Sequence, residues 1–176
     1  IRTTPRFTLP DNQVINDTLV TLWDGDDYPD VLIATEKGIW VAINKGGYPL
    51  PEDDDFTAAA AKVEFSQYVQ LTATRALAID TTDLDNDGDQ DIIAAARIAI
   101  GGTDFAVYRN RGVATDAVDG IPSVAQIPEE YAPLPIANAT KVRGIKAADF
   151  DADGLVDVVI GTDSQEQTLL LFKRLT

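Results

Sequence analysis

Cysteine, histidine and methionine are absent from this chain. Without cysteine there is no disulfide, no thiolate nucleophile and no Cys-type zinc site. Without histidine there is no imidazole base, no Ser-His-Asp triad and no His-ligated metal. Any metal must be held by oxygen, which selects a hard cation such as calcium or magnesium. Positive charge is scarce as well. Fourteen Lys and Arg stand against 29 Asp and Glu, for a formal net charge of -15. Such a surface repels phosphates and anionic lipid, so nucleic acid is not an expected partner and membrane insertion is not expected. No apolar run approaches the ~20 residues that span a bilayer. The opening "IRTTPRFTLP" lacks the apolar centre of a signal peptide and an initiator Met, and reads as the start of a mature or excised segment.

What is present is a core-forming composition. The 176 residues are 45% hydrophobic, enough for one globular domain or for a few small units sharing a continuous core. Three segments align: "LWDGDDYPDVLIAT" from Leu22, "DLDNDGDQDIIAAA" from Asp83 and "DFDADGLVDVVIGT" from Asp149. Their last acidic residues, Asp30, Asp91 and Asp157, are spaced by 61 and 66 residues. Each is followed by a short run of Ile, Val and Ala, which reads as a buried strand. Each is preceded by another run ("TLVTLW", "RALAID", "GIKAADF"), and a third follows ("GIWVAIN", "TDFAVYRN", "TLLLFKRL"). The first two of these third runs end in the turns "INKGG" and "RNRG", where Asn and Gly let the chain reverse.

A fourth, outer strand is expected in two repeats, at Val63–Leu71 and at Glu129–Ile136. The two prolines of the latter confine it to an edge. Four antiparallel strands per unit at this period predict an all-β fold of β-propeller blades. The expected repeats are 11–72, 73–137 and 138–176, with 1–10 as the outer strand of a neighbouring or closing blade. Three blades are too few for an ordinary ring of about 4–8. Further blades or a second chain are therefore expected to complete it.

The second and third loops share the spacing D-x-D-x-D-G-x-x-D. In one the residues are Asp83, Asp85, Asp87, Gly88 and Asp91; in the other, Asp149, Asp151, Asp153, Gly154 and Asp157. Alternate carboxylates on a tightly curled loop converge on one point, and the Gly supplies the positive φ that sharpens the turn. The backbone carbonyl of Asp89 or Leu155 adds a further oxygen, while the Asp89 carboxylate is expected to point away. Four carboxylates and a carbonyl, with water or bidentate binding, supply the ~6–8 oxygens that calcium takes. An EF-hand begins similarly but requires Glu at position twelve and flanking helices. Here position twelve is Ala94 or Ile160 and the flanks are strand-like, so that reading fails.

This loop, entering an apolar strand and repeated about every sixty residues, resembles the FG-GAP/VCBS repeat, the blade of integrin-α-type propellers. The resemblance covers the chain from about Asn12 onward. It implies calcium in the loop between the first two strands of a blade, on Asp83, Asp85, Asp87 and Asp91 and on Asp149, Asp151, Asp153 and Asp157. The first loop departs from the pattern. Leu22 replaces the first Asp and Asp27 replaces the Gly. Asp24, Asp26 and Asp30 remain, with the Tyr28 carbonyl. A third calcium is expected to be weak or absent, and Asp27 is expected to take the left-handed conformation with some strain.

Asp80 and Asp104 read as surface residues, Trp23 and Trp40 as blade packing, and "EDDD" at Glu52–Asp55 as a solvated loop. Arg97, Arg109 and Arg111 read as offsets to local negative charge. The expected function is non-enzymatic: a calcium-stabilised module outside the cytoplasm (extracellular, cell-surface or periplasmic) that meets protein or glycan. Two alternatives stand beside it. One is a propeller within a secreted polysaccharide-active enzyme, drawing on spare acids such as Glu36, Glu64, Glu129 and Glu130. The other is a lectin-like scaffold subunit.

Overall fold

The computed structural model describes residues 9–46, 65–95, 97–98, 105–112, 121–127, 140–163 and 169–174. A 3-10 turn, Pro10–Asn12, precedes β1 (Ile15–Thr21), β2 (Asp30–Thr35), β3 (Gly38–Asn44) and β4 (Phe65–Thr72). Next come β5 (Ala78–Thr82), β6 (Asp91–Ala95), the short β7 (Arg97–Ile98), β8 (Phe105–Asn110) and β9 (Val124–Ile127). The chain closes with β10 (Thr140–Ala148), β11 (Asp157–Thr162) and β12 (Leu169–Phe172). They form three antiparallel sheets, β1-β2-β3-β4, β5-β6-β8-β9 and β12-β11-β10-β7. Each is a blade, and the three do not close into a ring. Every acidic loop joins the first two strands of its blade, as the sequence predicts.

The second strands of the first two blades carry continuous apolar runs because both of their faces are covered. In the first blade, Leu32 and Ala34 face the second blade, while Ile33 faces the opposite way beside Leu9, Trp40 and Ala42. Trp23, Ile39 and Val41 join Ile79, Ile92 and Tyr108 in the core between blades one and two. Leu84, Ile93 and Val107 join Val158, Ile160 and Phe172 between blades two and three. There Phe105 and Phe172 meet edge to face, with ring centroids 5.0 Å apart. Trp23 and Trp40 are thus both blade packing.

The blades are also tied through their first strands. The Ile79 N–H donates to Asp17 Oδ2 (3.1 Å) across the first interface. Across the second, the Ala147 N–H donates to Asp80 Oδ2 (2.8 Å) and Lys146 Nζ to Asp80 Oδ1 (2.7 Å). Asp80 is therefore a buried tie between blades and not the surface residue expected from sequence. Its partners lie 66 and 67 residues away, beyond any local pattern. Asp80→Ala strands the Ala147 N–H at a closed interface, and a loss of about 2 kcal/mol is expected in urea or thermal unfolding. A loss within about 0.5 kcal/mol would show that this bond does not hold the interface.

Two strand expectations change. The outer strand of the second blade is Val124–Ile127, upstream of the expected segment, and pairs with β8 from Val107↔Ile127 to Asn110↔Val124. That tetrapeptide contains no proline and can supply every ladder N–H. Glu129–Ile136 lies outside the described residues, as do residues 1–8, Glu52–Asp55, Glu64 and Asp104. The short β7 is unexpected. It leaves the second blade to pair with Thr140 and Lys141 at the start of β10.

Candidate metal centre

The loops span residues 22–29, 83–90 and 149–156, and their backbones are held by their own carboxylates. Asp83 accepts from the Asp87 N–H (Oδ1, 3.2 Å) and the Gly88 N–H (Oδ2, 3.0 Å). Asp149 repeats this with Asp153 (3.1 Å) and Gly154 (2.9 Å). Asp87 accepts from the Asp89 N–H, and Asp153 from the Leu155 N–H, both at 2.9 Å. The second and third loops have two left-handed residues each. Asn86 and Gly88 supply them at φ 59 and 94, and Ala152 and Gly154 at φ 61 and 87.

The first loop is built differently. Leu22 offers no carboxylate, so the two turn-closing bonds of the first Asp are missing. Its left-handed residue is Gly25 (φ 76), at the position of Asn86 and Ala152. Asp27 has no positive φ, contrary to expectation. With one left-handed residue instead of two, this loop follows a different path and stores no strain at Asp27. The Tyr28 N–H still donates to Asp26 Oδ1 (2.8 Å).

Side-chain oxygens converge in two places. Asp83, Asp85 and Asp91 bring ligand atoms within 4.8 Å of one another, and so do Asp149, Asp151 and Asp153. A calcium with bonds of ~2.3–2.6 Å fits between oxygens at that separation. Asp87 stands outside the first trio and Asp157 outside the second. Asp24, Asp26 and Asp30 form no such trio. Asp89 stands apart too, with Oδ2 close to Gly112, where an added Cβ would lie 2.9 Å from it. Burial, then Asp87, Asp83 and Asp85, hold the Asp89 carboxyl above the usual range. Asp85 Oδ1 is buried and accepts no hydrogen bond, which leaves an oxygen of the first trio available to a cation. The all-oxygen donor set and this unused oxygen fit calcium.

A basic side chain from the end of the third strand or just past it reaches the same loop position in every blade. Lys45 Nζ pairs with Asp24 (2.6 Å), Arg109 Nε with Asp85 (2.9 Å) and Lys173 Nζ with Asp151. Lys173 also reaches Asp153 at 3.1 Å. Arg109 thus does offset loop charge, as expected. The hydrogen bond to Asp151, then that to Asp153, raises the Lys173 ammonium above its ordinary value. The Leu155 N–H, then Lys173, lowers the Asp153 carboxyl.

The last Asp of each loop has a second role that its spacing did not disclose. Asp30, Asp91 and Asp157 are buried. Each takes an N–H from its own loop, Asp30 a second one from Asp24 (3.4 Å), and one from a residue at or just past the end of its blade's third strand. Asp91 accepts from Leu84 (2.9 Å) and Asn110 (2.8 Å), and Asp30 from Trp23 (2.9 Å) and Asn44 (2.8 Å). Asp157 accepts from Phe150 (3.4 Å) and Arg174 (3.1 Å). Burial pushes the Asp91 carboxyl up to about 6 against these two N–H groups, and it raises Asp30 likewise.

The closing residues then reach the preceding blade. Asn110 Nδ2 donates to the Trp23 carbonyl (3.3 Å) and Arg174 Nη1 to the Leu84 carbonyl (2.8 Å). A hydrogen-bonded path therefore runs Asp30–Trp23–Asn110–Asp91–Leu84–Arg174–Asp157 through all three loops. The Asn of "INKGG" and "RNRG" was the available signal for Asn44 and Asn110. Their distances from the loop Asp are 14 and 19 residues, and 17 for Arg174, so no fixed spacing marks them.

Comparison with curated proteins gives no match. A family model described as FG-GAP-like repeat matches residues 23–94 and again 83–160. Those matches take in all three acidic loops and most of the chain, which therefore belongs to the FG-GAP-like repeat family.

Proposed function

We propose that this chain is a non-enzymatic, calcium-binding propeller segment whose ions are structural and whose blades serve interaction with protein or glycan outside the cytoplasm. The observation that carries the reading is the convergence of Asp83, Asp85 and Asp91, with Asp85 Oδ1 left unpartnered, and its counterpart at Asp149, Asp151 and Asp153. Asp87, the Asp89 carbonyl, Asp157 and the Leu155 carbonyl complete the two ligand sets. When bound, the ion neutralises each loop and fixes the first strand against the second, so binding energy becomes folding energy. Sites of extracellular modules hold calcium at about 10⁻⁴–10⁻³ M, which matches an environment rich in the ion and supports a location outside the cytoplasm. Among the described residues, no helix is long and apolar enough to cross a membrane.

The ion pairs favour a second reading, in which Lys45, Arg109 and Lys173 neutralise the loops and no metal is needed. A calorimetric calcium titration separates the two. Two ions per chain are expected, and one after Asp149→Asn. No heat of binding would establish the internal cations as the counter-charge.

A further inference from the structure

The basic side chain paired with each loop is held differently from blade to blade. In the first, Lys45 Nζ lies on Asp24, whose side chain is 4% exposed. In the second, Arg109 lies on Asp85 Oδ2, and Asp85 Oδ1 stays without a partner. In the third, Lys173 Nζ bridges Asp151 Oδ2 and Asp153 Oδ2. One ammonium thus engages two members of the third trio, whereas Arg109 touches one member of the second on one oxygen. Neither bridged Oδ2 accepts a backbone N–H among the described residues; those bonds go to Asp149 and to Asp153 Oδ1. The Lys173 bridge is also the most open of the three pairs, with Asp151 44% and Lys173 53% exposed. The residues beside Lys173 are anchored separately. Phe172 is buried in the core, and the Arg174 N–H donates to Asp157. The lysine head can therefore swing away on its flexible four-carbon stem while the backbone stays in place.

We infer that Lys173 is an internal competitor at the third calcium site, its ammonium and the ion taking Asp151 and Asp153 in turn. Calcium needs several oxygens from few residues, and Lys173 holds the two that the backbone leaves open. The two cations also repel across so short a distance. At the second loop the ion has Asp85 Oδ1, and Arg109, with its charge spread over a planar guanidinium, keeps to Oδ2. At the first loop Lys45 is the standing cation, since Leu22 brings no carboxylate and Asp24 is closed from water. The second site therefore fills at lower calcium than the third, and filling the third turns Lys173 out into solvent. This inference rests on the proposed calcium sites and adds their order of filling and the group that controls it.

The test is a calorimetric calcium titration of the full chain and of Lys173→Met, which keeps an unbranched stem and removes the charge. The parent is expected to bind in two unequal steps. In Lys173→Met the weaker step should tighten at least about tenfold, and the tighter step should move less than about threefold. Adding Asp149→Asn to Lys173→Met should abolish the tightened step, which assigns it to the third loop. Arg109→Met also removes one positive charge beside a loop, yet it should tighten the second site by less than about threefold. The unmutated chain supplies an independent readout. An amine-acetylating reagent, followed by mass spectrometry, should modify Lys173 several-fold faster in calcium than in chelator, and Lys45 equally fast in both. Equal gains from Lys173→Met and Arg109→Met would reduce the effect to net charge and overturn the inference. So would a weaker step that Lys173→Met leaves unchanged, or a Lys173 acetylation rate that calcium does not raise. Any of these leaves the calcium sites themselves standing. No heat of binding in either the parent or Lys173→Met would overturn the sites and the inference together.

Discussion

Ten millimolar calcium is expected to raise the melting temperature by about 10 °C or more over the same protein in chelator. At about 100 times the dissociation constant, each site adds ~2.7 kcal/mol, and two sites about double that. For a chain of this size each kcal/mol moves the midpoint by roughly 2–4 °C. Magnesium should do less, because it holds its waters and demands octahedral geometry. The pH dependence has opposite signs with and without the ion. In chelator the folded Asp91 carboxyl sits at about 6 against an ordinary 3.8. The folded chain therefore holds a proton that the unfolded chain releases between about pH 4 and 6, and this group makes the fold more stable as pH falls through that window. Calcium selects the ionised form, so the calcium increment shrinks over the same window. Superimposable melts in calcium and chelator would remove the structural ion from the account.

Asp91→Ala is expected to cost about 4 kcal/mol even in chelator. The carboxylate is fully buried and is the shared acceptor for Leu84 and Asn110. Its loss leaves two N–H groups with no acceptor inside a closed loop, each worth roughly 1–3 kcal/mol when orphaned. Asp91→Asn should cost about half, since one oxygen remains to accept. Asp157→Ala should cost less than Asp91→Ala, because the Asp157 bonds are longer, at 3.4 and 3.1 Å. Denaturant unfolding in chelator measures all three. An Asp91→Ala loss below about 1 kcal/mol would show that the carboxylate serves only a cation.

The blade strands and the two regular loops were legible because they rest on local signals: apolar runs of strand length, alternate aspartates, and a Gly where φ must be positive. What failed rests on distant partners or on competing local choices. Asp80 looked like a free surface acid because Lys146 and Ala147 belong to another blade. Asp27 looked strained because it occupies the glycine column, but the first loop keeps only the earlier of the two left-handed positions, at Gly25. The outer strand of blade two forms on "VAQI", which lacks the two prolines of the expected Glu129–Ile136. At the site, spacing identified the carboxylates but not that Asp91 and Asp157 double as backbone acceptors. That role depends on Asn110 and Arg174, which lie at unequal distances along the chain.

The path from Asp30 to Asp157 has a direction, and its consequence lies in time. The first and second loops are each finished by the blade that comes after: Asn110 reaches back to Trp23, and Arg174 to Leu84. On the ribosome a loop is therefore made well before its last hydrogen-bond donor exists. At synthesis rates of about 5–20 residues per second, the delay is on the order of several seconds per blade. Throughout that interval the nascent chain carries an acidic loop over an uncovered Trp23 or Leu84, and maturation advances from the first blade toward the third.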